Sequence, residues 1–151
     1  MTAAPVVFIF GLGFVGRALG HMMAAAGWSI RGTTRQPEKF AAEAAAGWEI
    51  IGFSDQQKMP VPARAVDGVS AILSTITTIS GSDPVLDLRR DDLAGLAGWV
   101  GYVSATSVYP DKPDGICYEH TRPDPATARG KARLLAEQRW QQLFNAEIFR
   151  A

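Results

Sequence analysis

A glycine turn between an apolar run and a helix constrains the fold of this chain more than any other feature. Gly11, Gly13 and Gly16 lie in the stretch GLGFVG, which directly follows the continuous apolar run VVFIF. Such a run is typical of a parallel strand that is covered on both faces. The residues after the turn read as a helix that ends near Gly27. The pattern therefore predicts a strand, a tight turn and a helix at the start of an α/β domain.

The rest of the chain repeats this alternation of strands and helices. Five more stretches suit strands, namely WSIRGTT, WEIIGF, VSAILSTI, WVGYVSA and AEIFRA. Three more helices are predicted, in QPEKFAAEAAAG, from about Pro84 and over residues 126–144, while residues 54–68 suit at most a short helix. A composition of 47% hydrophobic and 20% charged residues supports one packed core. The expected fold is an α/β, doubly wound parallel sheet of the Rossmann type with strand order 3-2-1-4-5-6.

The glycines of the turn have separate roles in this setting. Gly11 allows the tight turn, Gly13 allows the backbone to approach a pyrophosphate, and Gly16 allows close packing of helix against strand. The free N–H groups at the start of the helix attract an anion. We therefore predict that a dinucleotide is bound by the six residues of the turn, Gly11, Leu12, Gly13, Phe14, Val15 and Gly16. The alternative is a glycine-rich turn without a ligand.

The end of the second strand bears on the choice between NAD and NADP. An acid at this place would bind the ribose hydroxyls of NAD, but the stretch IRGTTRQ contains none. It carries Arg31, Thr33, Thr34 and Arg35 instead, and guanidinium groups form paired hydrogen bonds to phosphate oxygens. We predict that these four residues bind the cofactor and that NADP is preferred over NAD. The alternative for each arginine is a solvated surface charge.

Charge and cysteine content exclude several other classes of function. The formal net charge is zero, which argues against a nucleic acid or an anionic membrane as a partner. Cys117 is the single cysteine, so no internal disulfide is possible and the cytoplasm is the expected location. Glu119 and His120 lack the spacing of a metal site, and no metal is predicted. The four tryptophans are expected to pack in the core.

Four stretches together resemble a known superfamily: GLGFVG, GTTR, VSATSVYP and RGKARLLAEQ. The chain resembles the N-terminal part of short-chain dehydrogenases/reductases, closest to extended and atypical members described as NAD(P)-dependent epimerase/dehydratase-like. The resemblance covers nearly all of the chain, and family members continue into a substrate-binding lobe. It implies that residues 1–151 are an NAD(P)-binding Rossmann domain truncated before that lobe. The alternative is a minimal protein with a bare nucleotide fold.

The resemblance also implies a serine or threonine, a tyrosine and a lysine as the catalytic set, and here the chain departs from the family. Aligning SVYP places Ala105 at the serine or threonine position. Aligning Glu137 with the family's glutamate places Arg129 at the tyrosine and Arg133 at the lysine. A second alignment uses Lys131 as the lysine, but it still supplies no tyrosine and loses the glutamate register.

Other residues are candidates for the missing roles. Ser104 or Thr106, which flank Ala105, could replace the serine, and Tyr109 is the nearest replacement acid; its alternative role is packing at the base of the loop. Arg133 could contact the cofactor's ribose or phosphate. Together with Arg129 it could also form an anion site, the alternative being a solvated basic face.

Two further cofactor contacts and two hypotheses of function complete the interpretation. Ser74 and Thr75, at the end of the fourth strand, are predicted to contact the cofactor. The first hypothesis is an NADP(H)-dependent oxidoreductase or epimerase of the atypical type, acting on an unknown small molecule. The second is a non-catalytic NADP(H)-binding sensor or scaffold, which the missing tyrosine favours. A homodimer is a further expectation from the superfamily.

Overall fold

A six-stranded, all-parallel sheet forms the centre of the molecule. The computed structural model describes residues 3–56, 66–91, 93, 98–112 and 115–151. The strands are β1 (Val6–Phe10), β2 (Ser29–Thr34), β3 (Glu49–Gly52), β4 (Ala71–Ser74), β5 (Trp99–Ser104) and β6 (Glu147–Arg150). Their order is β3-β2-β1-β4-β5-β6. The predicted doubly wound Rossmann sheet is therefore confirmed.

Helices follow the strands as the sequence predicts, with small shifts of their ends. They are α1 (Phe14–Ala25), α2 (Ala41–Ala45), α3 (Pro84–Arg89) and α4 (Ala128–Phe144). A 3₁₀ turn over Pro37–Phe40 precedes α2, and another over Thr106–Val108 follows β5. The short helix predicted within residues 54–68 falls largely outside the described residues.

Side-chain caps fix where two of the helices begin. The carboxylate of Asp83 accepts hydrogen bonds from the backbone N–H groups of Val85 and Leu86 at 2.9 and 3.0 Å, at the start of α3. The hydroxyl of Thr127 accepts from the N–H of Gly130 at 3.0 Å, at the start of α4. Each cap satisfies N–H groups that have no partner within the helix itself. Both helices therefore start at defined residues.

Strand β1 is buried on both faces and separates two apolar clusters. Phe8 and Phe10 join the cluster beneath α3 and α4, which also contains Tyr102 and Trp140. Val7 and Ile9 alternate with them and belong to the other cluster, on the side of α1. Side chains alternate between the faces of a strand, so an uninterrupted apolar run serves both layers.

The tryptophans do not all pack in the core. Trp140 is fully buried, and Trp48 is 7% exposed. Trp99, in contrast, is 40% exposed and lies 6.1 Å from the ring of Phe149 on β6. The expectation of core packing was wrong for Trp99. In the described part of the chain, no helix is both long enough and apolar enough to span a membrane.

Candidate functional site

A cleft of about 970 Å³ opens where β1, β2 and β4 end. Successive strands are added to one side of β1 up to β3 and to the other side from β4 onward. Ligands of doubly wound sheets bind at this switch point between β1 and β4. Eight of the residues predicted to bind a cofactor line the cleft, namely Gly11, Leu12, Gly13, Phe14, Thr33, Thr34, Arg35 and Thr75. The structure thus brings the glycine turn, the end of β2 and the end of β4 to one site.

The three glycines of the turn meet different surroundings. Gly11 has a φ of +94°, and a side chain there would lie 2.7 Å from the hydroxyl oxygen of Thr75. A Cβ on Gly16 would lie 2.1 Å from the carbonyl oxygen of Gly11. Gly13 precedes α1 with a φ of −77°, and a Cβ there would meet nothing within 4 Å. The protein's own packing therefore requires glycine at Gly11 and Gly16, whereas the space above Gly13 is free for a ligand.

Two threonines hold the glycine turn in place. The Thr33 hydroxyl accepts from the backbone N–H of Gly11 at 2.9 Å, and the Thr33 carbonyl accepts from the N–H of Leu12 at 2.7 Å. The Thr75 hydroxyl donates to the Gly11 carbonyl at 2.6 Å. Both threonines were predicted as cofactor contacts, and the structure gives both of them a bracing role in addition.

One end of the cleft is basic. Arg35 is exposed there, and Arg17 and Lys39 line the same cleft. Asp55 is the acid among the described lining residues. The end of β2 therefore faces a cleft in which positive charge prevails, a setting that suits a phosphate.

Arg31 lies elsewhere. Its guanidinium forms an ion pair with Glu49 at 3.0 Å and donates to the carbonyl oxygen of Asp67 at 2.7 Å. Arg31 and Glu49 are direct partners in the pairing of β2 with β3. The structure does not bring Arg31 to the lining of the cleft.

A second group of charged residues at the basic end was missed by the sequence analysis. The Nε of Arg17 donates to the Glu43 carboxylate at 2.5 Å, and a ring nitrogen of His21 lies 3.2 Å from the same oxygen. Glu43 is only 3% exposed, and the hydrogen bond from Arg17 holds the pKa of this carboxyl below its usual value. Arg17 and His21 are four residues apart on α1, a spacing that places them on one helix face. That spacing was the available signal, but it did not reveal the partner on α2.

Arg133 is buried beside the cleft. It is 5% exposed and donates hydrogen bonds to the Tyr102 hydroxyl at 3.1 Å and to the hydroxyl of Thr77. Thr77 lines the cleft, so Arg133 reaches the cleft through it. A solvated basic face is therefore wrong for Arg133, and Arg129, which is exposed, does not share its environment. Burial raises the pKa of Tyr102 to about 12, which leaves its hydroxyl protonated near neutrality.

The remaining predicted cofactor contacts lie below the surface of the cleft or beside it. Ser74 is fully buried, and its hydroxyl has no hydrogen-bond partner among the described residues. Gly16 is buried under the turn, and Val15 is exposed on α1, and neither is among the residues that line the cleft. Among the described residues there is also no group of three or more His, Cys, Asp or Glu side chains that could hold a metal ion.

The catalytic candidates Thr106 and Tyr109 line a different cleft of about 990 Å³, beside the loop after β5. The Tyr109 hydroxyl accepts from Arg150 at 3.3 Å. Two nitrogens of Arg150 also donate to the buried carboxylate of Glu137, at 3.0 and 2.9 Å, and this raises the pKa of Arg150. The two clefts have no lining residue in common among those described. The structure does not bring Thr106 or Tyr109 to the glycine turn.

Comparison with known proteins identifies neighbours by structure alone. No protein-family model and no curated protein matches the chain. A conserved protein of unknown function from Silicibacter pomeroyi is 37% identical, with a TM-score of 0.81 over 97% of this chain and 52% of that one. The UDP-glucuronic acid 4-epimerase of Bacillus cereus, solved with UDP-glucuronic acid and NAD, is 14% identical, with a TM-score of 0.74 over 96% and 55% of the two chains.

A plant reductase extends the comparison. Vestitone reductase from alfalfa (Medicago sativa) is 16% identical, with a TM-score of 0.64 over 95% of this chain and 54% of that one. The chain spans about half the length of the solved structures it matches. The predicted resemblance in fold is confirmed: the chain has the fold of UDP-sugar epimerases and of vestitone reductase.

Proposed function

We propose that this chain is the NADP(H)-binding part of an oxidoreductase- or epimerase-like protein that acts on a small molecule. One observation carries the proposal. The cleft joins an open helix N-terminus at Gly13 to a basic end at Arg35, where the acid typical of NAD binding is absent from β2. The fold of the NAD-bound epimerase supports a nicotinamide cofactor, and the charge of the cleft supports the phosphorylated form.

The residues of the cleft divide between the parts of such a cofactor. The pyrophosphate would be held by the N–H groups at Gly13 and at the start of α1, where a Cβ added to Gly13 would meet no atom within 4 Å. The 2′-phosphate would be held at Arg35, and the reactive half would lie toward Thr75 and Thr77 at the end of β4. When bound, the cofactor supplies hydride transfer.

Among the described residues that line the cleft, Thr77 is a polar group that would orient a substrate oxygen. Its hydroxyl accepts a hydrogen bond from Arg133, which can only donate. The proton of Thr77 is therefore free to be donated into the cleft, and the neighbouring cation strengthens that donation. This arrangement can polarise a carbonyl oxygen.

A second candidate function follows from the same geometry. Tyrosine is absent from the described lining of the nucleotide cleft, and an exposed Arg129 stands at the position that the family gives to tyrosine. This favours an NADP(H)-binding module without turnover, a sensor or a scaffold. Oxidation of NADPH in the presence of a panel of small carbonyl compounds separates the two candidates, since only the enzyme consumes the cofactor.

Titration with NADPH and NADH, followed by fluorescence, tests the proposal. We expect NADPH to bind about tenfold or more tightly than NADH, because an Arg–phosphate interaction contributes about 1.5–3 kcal/mol. Arg35→Glu should remove much of this preference. Arg122→Glu is the matched control, because Arg122 is exposed and does not line the cleft. A folded chain that binds neither nucleotide would overturn the proposal.

A further inference from the structure

We infer that Arg17, held in place by Glu43 and Phe40, is a determinant of NADP(H) specificity that clamps the 2′-phosphate together with Arg35. The inference rests on the proposed function and names a residue of that same site. Arg17 lies on α1 rather than at the end of β2, and the sequence did not predict a role for it.

The position of Arg17 brings its charge to the basic end of the cleft. Its backbone N–H donates to the carbonyl of Gly13 at 2.9 Å, so it lies in the first turn of α1. Its guanidinium carbon lies 4.9 Å from the centre of the Phe40 ring, in the segment that follows β2. The side chain therefore extends away from the pyrophosphate loop, toward the end of β2 where Arg35 lies.

The guanidinium is oriented before any ligand arrives. Phe40 supports one face of Arg17, and Glu43 accepts the hydrogen bond from Nε. An arginine presents five N–H donors in a planar fork, and Nε carries one of them. The two terminal nitrogens have no hydrogen-bond partner among the described residues, and the side chain is 45% exposed. The free edge of the fork has the geometry that binds two phosphate oxygens.

Glu43 explains why this orientation persists. It is a buried carboxylate, 3% exposed, and such a group needs a cation to offset its lost hydration. Arg17 and His21 both contact its Oε1 atom, whereas Oε2 has no hydrogen-bond partner among the described residues. The carboxylate thus holds Arg17 at the wall of the cleft, and Glu43 acts as a positioning residue.

Arg35 lacks such support. It is exposed, and no ion pair or hydrogen bond holds its side chain in the described structure. Ordering a long, free side chain on a phosphate costs conformational entropy, whereas Arg17 is ordered already. Arg17 should therefore contribute at least as much to the preference for NADPH as Arg35 does.

The test measures dissociation constants for NADPH, NADH and 2′,5′-ADP with the unaltered chain and four variants. Arg17→Met keeps much of the apolar stem, and Arg17→Lys keeps the charge but not the fork. Glu43→Gln removes the anchor. Arg139→Met is the matched control, because Arg139 lies on α4 and pairs with Asp87 outside the cleft.

We expect Arg17→Met to weaken NADPH and 2′,5′-ADP by about 10- to 100-fold and to leave NADH unchanged, since a hydrogen bond to a charged group contributes about 1.5–3 kcal/mol. Arg17→Lys should give a smaller loss with the same selectivity. Glu43→Gln should lower the ratio of NADPH to NADH affinity without changing NADH binding, a result that general loosening of the fold would not give. Arg139→Met should bind all three ligands as the unaltered chain does.

Other outcomes overturn the inference in distinguishable ways. Equal weakening of NADPH and NADH in Arg17→Met would place Arg17 at the pyrophosphate or the adenine. An unchanged preference in that variant would leave the proposed function standing and remove Arg17 from it. An unaltered chain that does not prefer NADPH would overturn both. If Arg17→Met fails to fold, as judged by circular dichroism, the affinities of Arg17→Lys for NADPH and NADH test the inference instead.

Discussion

The two clefts of this chain are formed by different kinds of structure. The first cleft, which contains the glycine turn, is formed by the ends of β1, β2 and β4, and the buried Thr33 fixes its loop. The second cleft is formed largely by the loop after β5, with Tyr109 in contact with Arg150 on β6. A site formed by backbone at the carboxyl ends of strands can be predicted from local sequence. A site formed by side chains on a loop depends on tertiary packing, which local sequence does not give. The difference explains why one cleft was predicted and the other was not.

The largest expected effect tests the backbone of the first cleft. Gly16→Ala places a Cβ 2.1 Å from the Gly11 carbonyl oxygen, so α1 and the glycine turn must move apart. We expect a loss of about 3 kcal/mol in the free energy of unfolding, in the range of overpacked core substitutions. Urea unfolding followed by circular dichroism measures it. An unchanged midpoint would show that the turn is looser than described.

The next effect concerns the second cleft. Arg150→Met removes the partner of Glu137, a carboxylate that is 2% exposed, and leaves a buried charge unpaired. We expect about 2 kcal/mol of destabilisation, below the range for fully buried pairs because Arg150 is itself partly exposed. Arg150→Met/Glu137→Leu should recover part of the loss in the same unfolding measurement, since it removes the unpaired charge. If the double variant is less stable than the single one, the ion pair is not the cause.

Gly13→Ala separates ligand binding from stability in the first cleft. A Cβ at Gly13 meets no atom within 4 Å, so the thermal midpoint should stay near that of the unaltered chain. The methyl group would occupy the space expected for the pyrophosphate, and NADPH and NADH should both bind about tenfold or more weakly. Calorimetric titration measures both constants. Unchanged binding would show that the pyrophosphate does not approach Gly13.

A pH series tests the anchor at the basic end of the first cleft. Arg17 lowers the pKa of Glu43 in the folded chain below its usual value of 4.5. The ionised carboxylate therefore stabilises the fold at any pH above 4.5. That contribution should disappear as the pH falls below 4.5 through the lowered pKa, and it should be absent from Glu43→Gln. Urea midpoints between pH 7 and pH 3 compare the two chains. Parallel curves would show that Glu43 is not held by Arg17.

The smallest effect asks whether the clefts are separate. Tyr109→Phe removes a hydroxyl that accepts from Arg150, and about 1 kcal/mol of stability or less should be lost. The affinity for NADPH should not change, because Tyr109 does not line the first cleft. A weaker affinity in this variant would mean that the two clefts act as one site.

Local sequence was sufficient where a single backbone segment sets the geometry. The roles of Gly11 and Gly16 and the placement of Arg35 followed from the turn and from the end of one strand. The position of Arg31 was not predicted, because the strand pairing that makes Glu49 its neighbour cannot be read from local sequence. The contact of Arg17 with Glu43 likewise joins two helices 26 residues apart in the chain. Sequence periodicity identifies the faces of such helices, but it does not identify the side chains that meet between them.

The clasp between Thr33 and the glycine turn has a consequence for evolution and redesign. The hydroxyl and the carbonyl of Thr33 both accept hydrogen bonds from the turn, so this position of β2 is tied to the glycine turn. Arg35 and Lys39, just beyond it, are two of the exposed cations that line the basic end. Under the proposed function, substitutions at Arg35 and Lys39 would change the coenzyme preference while Thr33 keeps the glycine turn in place.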